Sequence, residues 1–340
     1  MKILILKPSS LGDVIHALPV LRLIKKAHPT AEVDWWIDSG LAPLLEGDPD
    51  ISRLVLFHRR RWATPRHWPE VWDAIRSLRA QQYDWVIDLQ CLARTGVVAW
   101  LARGKFLIGL DEPREGARGF YDVIVRRPTP QTHAVDWYLS VLPHLGVPVS
   151  RDFDWLPKRE TVHAGLVQKW GAADKRWIVF QPGARWATKR WPVEHFAQLA
   201  RLVHQRLPKH HIAVLGGQDD QSFGETIAAA VPDRCLNLAG QLNLQEMIEW
   251  IRLSDLMVSN DTGPMHVGAA LNKPVVALFG PTDARRTGPY AQIQEVLKVS
   301  LPCAPCFSKT CRNPELLACL WKLHPEQVLA EIERRLPIAS

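Results

Sequence analysis

The chain has 340 residues, 47% of them hydrophobic, with 42 Lys and Arg against 35 Asp and Glu, a net charge of +7. That length accommodates two domains of ordinary size, and the composition is that of a soluble globular protein. No apolar run approaches the roughly 18 residues of a transmembrane helix, and the apolar part of MKILILKPSSLGD is too short for a signal peptide, so a cytoplasmic protein is expected.

The first half alternates strand and helix. Strands are predicted at Lys2–Lys7, Val33–Ile37, Arg53–Phe57, Trp85–Leu89, Phe106–Gly109 and Val123–Val125, with helices such as Val14–Ala27 and Trp68–Gln81 between them. Gly146–Pro157 is rich in turn residues and marks the approach to a linker. The second half repeats the rhythm, with strands at Trp177–Gln181, Ile212–Leu215, Cys235–Leu238, Leu256–Ser259, Val275–Phe279 and Glu295–Val299. Such alternation implies parallel sheets covered on both faces by helices. Pro325–Leu336 reads as an amphipathic helix.

Polar loops follow several of these strands. The first strand runs into Pro8-Ser9-Ser10-Leu11-Gly12-Asp13 at the head of a helix. Asp13 reads either as a helix cap or as a general base facing a ligand. His16, one turn later, reads as a surface histidine or as a group that tunes the carboxylate. The strand ending at Gln181 runs into Pro182-Gly183-Ala184-Arg185, and Leu215 runs into Gly216-Gly217-Gln218-Asp219-Asp220. Lys189 lies just ahead of the helix Val193–Arg206, where its charge opposes the positive helix end unless an anion sits between them. A G-x-G-x-x-G after the first strand and a G-x-x-x-x-G-K-[ST] are both missing, which argues against a dinucleotide dehydrogenase and a P-loop enzyme.

Leu256–Asp283 packs strand, tight turn, helix, strand and tight turn into one stretch. Asn260-Asp261-Thr262-Gly263-Pro264 supplies turn residues, a cap and a first-turn proline. It aims backbone N–H groups at one spot, suited to a phosphate or diphosphate, with Asp261 and His266 beside it. The same pattern also fits an ordinary βαβ unit.

Two further clusters stand out. The segment His58–Trp72 carries Arg59, Arg60, Arg61 and Arg66 with Trp62, Trp68 and Trp72. It reads as an anion-binding segment, with a solvated charged loop as the alternative. Cys303, Cys306, Cys311 and Cys319 are spaced C-x2-C-x4-C-x7-C. The later spacings are not those of a common zinc module, so structural thiols are expected and no metal site is assigned.

SLGDV, KRWP, NDTGPMHVGAAL and FGPTD together resemble the lipopolysaccharide heptosyltransferases, glycosyltransferase family 9, over nearly the whole chain. The resemblance implies an α/β fold of GT-B architecture, two Rossmann-like doubly wound domains facing across a cleft. Expected boundaries are 1–160 for acceptor, 161–322 for nucleotide sugar, and a C-terminal segment 323–340 packing back on the first domain. The implied reaction moves L-glycero-D-manno-heptose from ADP-heptose to the lipopolysaccharide inner core, a Kdo-lipid A type acceptor, with inversion and without a cofactor or obligatory metal. Carried over residue by residue, Asp13 is the catalytic base and Lys189 contacts the diphosphate. Gly183, Asp219 or Asp220, Leu242, Asp261, Thr262, Gly263 and His266 attend the donor. Ser9, Ser10, Gly12 and the arginines Arg59, Arg60, Arg61 and Arg66 are assigned to the acceptor. Gly183-Ala184-Arg185 stands where the family often has hydroxyl residues, so backbone N–H groups take over those contacts. Peripheral contact with the anionic inner face of the cytoplasmic membrane is expected, and nucleic acid is not. The rival readings are another GT-B glycosyltransferase or a nucleotide-sugar epimerase using UDP or GDP, and a non-enzymatic two-domain receptor.

Overall fold

The computed structural model describes residues 1–111 and 116–336. The chain divides into two compact units, the first ending at Pro157 and the second beginning at Lys158.

The first unit is a six-stranded parallel sheet. Its strands are β1 (Lys2–Leu6), β2 (Glu32–Asp38), β3 (Arg53–Phe57), β4 (Trp85–Asp88), β5 (Phe106–Leu110) and β6 (Val123–Val125). Their spatial order is β3-β2-β1-β4-β5-β6. The second unit holds β7 (Arg176–Gln181), β8 (His210–Val214), β9 (Cys235–Asn237), β10 (Leu256–Asn260), β11 (Val275–Phe279) and β12 (Leu297–Lys298). They lie in the order β12-β11-β10-β7-β8-β9, again with every pairing parallel. Counted from its own first strand, the second sheet repeats the order 3-2-1-4-5-6 of the first, the doubly wound Rossmann arrangement. The expected fold class, two Rossmann-like α/β units of GT-B type, is therefore what the chain adopts. In such sheets the connections leave in opposite directions on either side of the first strand. That switch point lies between β1 and β4 in the first unit and between β7 and β10 in the second.

The central strands are apolar on both faces because helices cover both. Ile3–Leu6 of β1 and all of β10 and β11 are buried. One cluster of the second unit joins Ile178, Phe180, Phe196, Leu199, Val258, Val276 and Leu278. Trp191 lies in it, 2% exposed, with its indole N–H donated to the Leu323 carbonyl at 2.9 Å. Truncating a buried tryptophan of this kind typically costs about 3–5 kcal/mol.

Most predicted elements are found within a residue or two of their expected ends, and Arg53–Phe57, Val123–Val125 and Val275–Phe279 coincide with them. Two expectations are corrected. The predicted strand Glu295–Val299 shortens to Leu297–Lys298, because Ile293–Glu295 forms a 3-10 turn. The C-terminal segment, expected to pack back on the first domain, instead completes the core of the second unit. Its helix Pro325–Arg335 buries Val328, Leu329 and Ile332 there, an apolar stripe matched to the helix Val193–Arg206. Polar contacts fix its register, including Gln198 Nε2 to Glu326 Oε1 at 2.8 Å and Arg206 to Glu333 at 3.1 Å.

The stretch preceding Lys158 is held down by side chains of the first helix, Lys26, which pairs with Asp152 at 2.6 Å, and Arg22. Arg22, on the helix Leu11–Ala27, makes a forked pair with Asp48 at 2.5 and 2.7 Å and a second pair with Asp50 at 2.6 Å. The same guanidinium donates to the carbonyls of Asp154 and Trp155. Among the described residues no helix is long and apolar enough to cross a membrane.

Candidate active site

At the mouth of the first sheet, β1 ends at Leu6 and the helix Leu11–Ala27 begins four residues after Lys7. Ser10 is the N-cap, with extended backbone, and Asp13 is the third helical residue. That spacing lets the Asp13 carboxylate reach back over the helix start. Its Oδ2 accepts from the Ser10 N–H at 3.0 Å and from the Ser10 hydroxyl at 2.7 Å. The Tyr138 hydroxyl lies 3.4 Å from the other oxygen, Oδ1. Both of these cap bonds fall on one carboxylate oxygen, and the Tyr138 hydroxyl faces the other.

Lys7 is the residue that sequence reasoning missed. It is 3% exposed, bridges the switch point by donating to the Leu89 carbonyl at 2.8 Å, and sits 4.7 Å from the centre of the Tyr138 ring. Burial opposes its charge, but Tyr138 and Asp13 outweigh burial and hold the amine above the ordinary lysine range. Burial pushes the Tyr138 phenol up to about 12, with Lys7 pulling it down and Asp13 pushing it up. A lysine closing an apolar strand was the only available signal, and it is a weak one. Tyr138 stands 125 positions from Asp13, beyond any local pattern. His16 does not lie at the surface: it is 3% exposed, and its ring meets His133 edge-on at 5.1 Å. It is buried because the helix face one turn after Asp13 turns into the core of the unit.

The predicted arginines fall into two groups. Arg59, Arg60 and Arg66 are exposed in the turn region between β3 and the helix Trp68–Ala80. Arg61 is engaged within the chain, pairing with Glu70 and donating to His67 Nδ1 at 3.2 Å. The Trp62 indole also donates to Glu70, at 3.2 Å. The His67 contact comes first, with Arg61 and Trp62 adding to it, in holding the Glu70 carboxyl below its usual range.

In the second unit three motifs meet at the ends of β7, β10 and β11. Lys189 lies in the 3-10 turn Ala187–Lys189 and forms an ion pair with Asp261 at 2.6 Å, their side chains 19% and 6% exposed. The anion that its position called for is thus this carboxylate. The same Asp261 oxygen accepts from the Thr282 hydroxyl at 2.6 Å, tying FGPTD to NDTG. Asn260, fully buried, accepts from the Trp191 N–H at 3.1 Å and donates to the Pro182 carbonyl at 2.6 Å. KRWP, NDTG and the loop after β7 are therefore fastened by one amide. Asn260 and Thr282 belong to motifs read in the sequence, yet a contact between segments is not visible there. Lys189 Nζ also lies 4.9 Å from the Trp186 ring centre, with Lys309 5.6 Å away on the same indole.

Thr262 caps the helix Gly263–Ala270 with extended backbone, Pro264 falls in its first turn, and His266 is buried on it. Asp220 and Asp219 separate clearly. The Asp220 carboxylate accepts from the Gly217 N–H at 3.0 Å and fills the space over Gly183, where an added Cβ would come within 2.2 Å of it. Gly183 is a glycine because Asp220 presses on it. Asp219 is exposed. Leu242 is half-buried in the loop ahead of the helix Leu244–Leu253, which Asn243 caps by accepting from the Glu246 N–H at 2.9 Å.

All six cysteines are free thiols. Cys303, Cys306, Cys311 and Cys319 line one cavity of about 450 Å³, shared with Thr188, whose hydroxyl donates to the Ser308 carbonyl at 2.9 Å. Among the described residues no group of three or more His, Cys, Asp or Glu is placed to hold a metal ion.

The pattern of Glycosyltransferase family 9 (heptosyltransferase) matches residues 71–317. Lipopolysaccharide heptosyltransferase 1 of Pseudomonas aeruginosa is 30% identical over 370 aligned positions, covering 99% of this chain and 98% of the relative. Lipopolysaccharide core heptosyltransferase OpsX of Haemophilus influenzae is 27% identical, covering 87% of this chain and 83% of its own length. Among solved structures, E. coli heptosyltransferase WaaC with ADP superposes with a TM-score of 0.76 at 26% identity, over 98% of this chain and 100% of the other. With the motifs assembled at two Rossmann switch points and the family pattern running through both units, the chain belongs to glycosyltransferase family 9, the lipopolysaccharide heptosyltransferases.

Proposed function

We propose that this glycosyltransferase moves L-glycero-D-manno-heptose from ADP-heptose to the inner core of lipopolysaccharide, on a Kdo-lipid A type acceptor, with inversion and without a metal. The observation that carries the reading is the meeting of Lys189, Asp261 and Thr282 at the end of the β7–β10 switch point, where open α/β sheets take their ligands. The full-length likeness to named heptosyltransferases, one of them solved with ADP, supports the choice of donor.

In this reading the second unit takes ADP-heptose. Lys189 exchanges Asp261 for the diphosphate and stabilises charge on the departing phosphate oxygen. The N–H groups at the head of Gly263–Ala270 face the same group. Asp261, released from the lysine, is an acceptor for sugar hydroxyls. Exposed Asp219 is the carboxylate available to the ribose, because Asp220 is committed to its own loop. Leu242 offers apolar surface to the base. The first unit takes the acceptor through Ser9, Ser10 and the exposed Arg59, Arg60 and Arg66, whose forks suit carboxylate and phosphate groups. Asp13 removes the proton as the acceptor oxygen attacks the anomeric carbon from the face opposite ADP. One displacement inverts that centre, by the geometric logic known for inverting glycosidases. The exposed arginines also bring the protein to the anionic cytoplasmic leaflet where its acceptor resides.

The test is incubation with ADP-heptose and purified truncated core acceptors, followed by mass spectrometry of the glycolipid. Addition of one heptose residue with release of ADP is expected. Transfer from a UDP- or GDP-sugar, with ADP-heptose left intact, would overturn the donor assignment.

A further inference from the structure

The first unit carries a cavity of about 610 Å³ that the proposed chemistry does not use. Its floor is an aromatic cluster. Trp36 stacks on Phe57 with ring centres 5.9 Å apart, and Trp62 meets Phe57 edge-on at 5.6 Å. Its walls are the helices Trp68–Ala80 and Ala93–Ala102, which contribute Trp68, Trp72 and Val98. Trp68 and Trp72 stand four residues apart on one helix face and are 56% and 54% exposed. Leaving two indoles side by side in water is unfavourable, and a patch of this kind marks a surface that is covered in use.

Position and charge say by what. Pro8 lines the cavity and is joined directly to Ser9, Ser10 and the Asp13 helix. Exposed Arg94 lines the rim, and the segment that supplies Trp62 also carries exposed Arg59, Arg60 and Arg66. An apolar trough with cationic groups around it complements a molecule that joins an anionic head to a methylene chain. A peptide fits poorly. Beyond Arg94 and the tryptophan indoles, of which Trp62 already donates to Glu70, the polar lining is Thr95, whose hydroxyl is already committed to the Leu92 backbone, and buried amides without partners are costly. A methylene chain has no such groups, and each buried CH₂ adds to binding. We infer that this trough holds one acyl chain of the glycolipid acceptor, so that the lipid part of the substrate is recognised by protein and helps to set the sugar hydroxyl at Asp13.

The inference rests on the acceptor reading above, and its test separates the two. Acceptor carrying its acyl chains is compared with the same oligosaccharide fully deacylated, in the same detergent, for the wild type, for Val71→Phe, which fills the trough, and for Trp72→Ala, which removes an exposed wall. The wild type is expected to favour the acylated acceptor by about tenfold in kcat/KM, and both variants to lose that preference while using the deacylated form unchanged. Equal use of both forms by the wild type, or equal losses on both forms in the variants, overturns the inference. Acceptor with brominated acyl chains gives a second readout, since bromine quenches tryptophan on contact. Quenching that Val71→Phe abolishes is expected, and no quenching overturns the inference. Quenching without any sugar transfer would sink the transferase reading and leave the acyl site standing. A concentration-dependent dimer that Trp72→Ala dissolves would instead assign the face to a second copy of the chain.

Discussion

At the mouth of the first sheet the lysine, Lys7, is 3% exposed and donates to a main-chain carbonyl, while the aspartate, Asp13, is bonded by both the N–H and the hydroxyl of Ser10. At the mouth of the second, Lys189 and Asp261 are bonded directly to each other at 2.6 Å, and the lysine keeps a water-facing side. The first arrangement fixes the direction of a carboxylate before any ligand arrives. The second holds a cation on a flexible stem beside an anion it can trade for another. A proton acceptor benefits from preset geometry, whereas a leaving-group stabiliser has to release one partner and take the next. The same pair of residue types thus suits two tasks, separated by how each is held.

The sharpest way to break this contrast is Asp13→Asn. It retains the cap geometry and removes the proposed base, so turnover is expected to fall by about two to four decades with donor affinity little changed. Near-native turnover would return Asp13 to a purely structural role. Lys189→Ala comes next. Rate and donor affinity are both expected to drop, the rate by about 10²–10³-fold as for other lost charge-stabilising groups. ADP inhibition is the direct measure, and an unchanged inhibition constant would show that the lysine only neutralises Asp261. Replacing Arg59, Arg60 and Arg66 together with Ser is expected to raise the acceptor KM by about tenfold with kcat and melting temperature preserved, the loss growing smaller as salt is raised. A parallel loss in donor KM would remove these residues from the acceptor.

The smallest effect sharpens the picture of the rigid side. Burial pushes Tyr138 up to about 12 and also raises Tyr83 and Tyr121. Unfolded tyrosine ionises near 10, so above that pH the folded state holds protons that the unfolded state has released. The contribution of these tyrosines to stability is therefore expected to be constant below about pH 10 and to fall as pH rises from there through about 12. Tyrosinate absorbance should appear late and together with unfolding, and Tyr138→Phe should remove part of the decline. An early, reversible rise in tyrosinate matching all four tyrosines would contradict the buried Tyr138–Lys7–Asp13 arrangement.

Much of the fold was legible because parallel strands buried on both faces leave continuous apolar runs, and their caps and prolines punctuate them. The short strand Leu297–Lys298 was overestimated because edge strands are specified by pairing with β11 more than by their own composition. The C-terminal helix was visible as an amphipathic pattern, but a stripe such as Val328, Leu329 and Ile332 does not say which surface it will meet. The motifs of the second unit could be read as motifs, yet the bonds joining them run from Trp191 to Asn260 and from Thr282 to Asp261 across long sequence separations. Lys7 was invisible for a different reason. A lysine at a strand end is common at surfaces, and only the packing of Tyr138 over it makes this one a buried cation.

Asn260 has a consequence for chemical ageing and for drift of the sequence alike. Its amide nitrogen points at the Pro182 carbonyl and its amide oxygen receives the Trp191 N–H. Deamidation, or a single codon change to aspartate, alters hardly any volume but sets oxygen against oxygen at Pro182 and adds a second negative group next to Asp261. An isosteric swap of one atom would thus unpick three loops of the second unit at once.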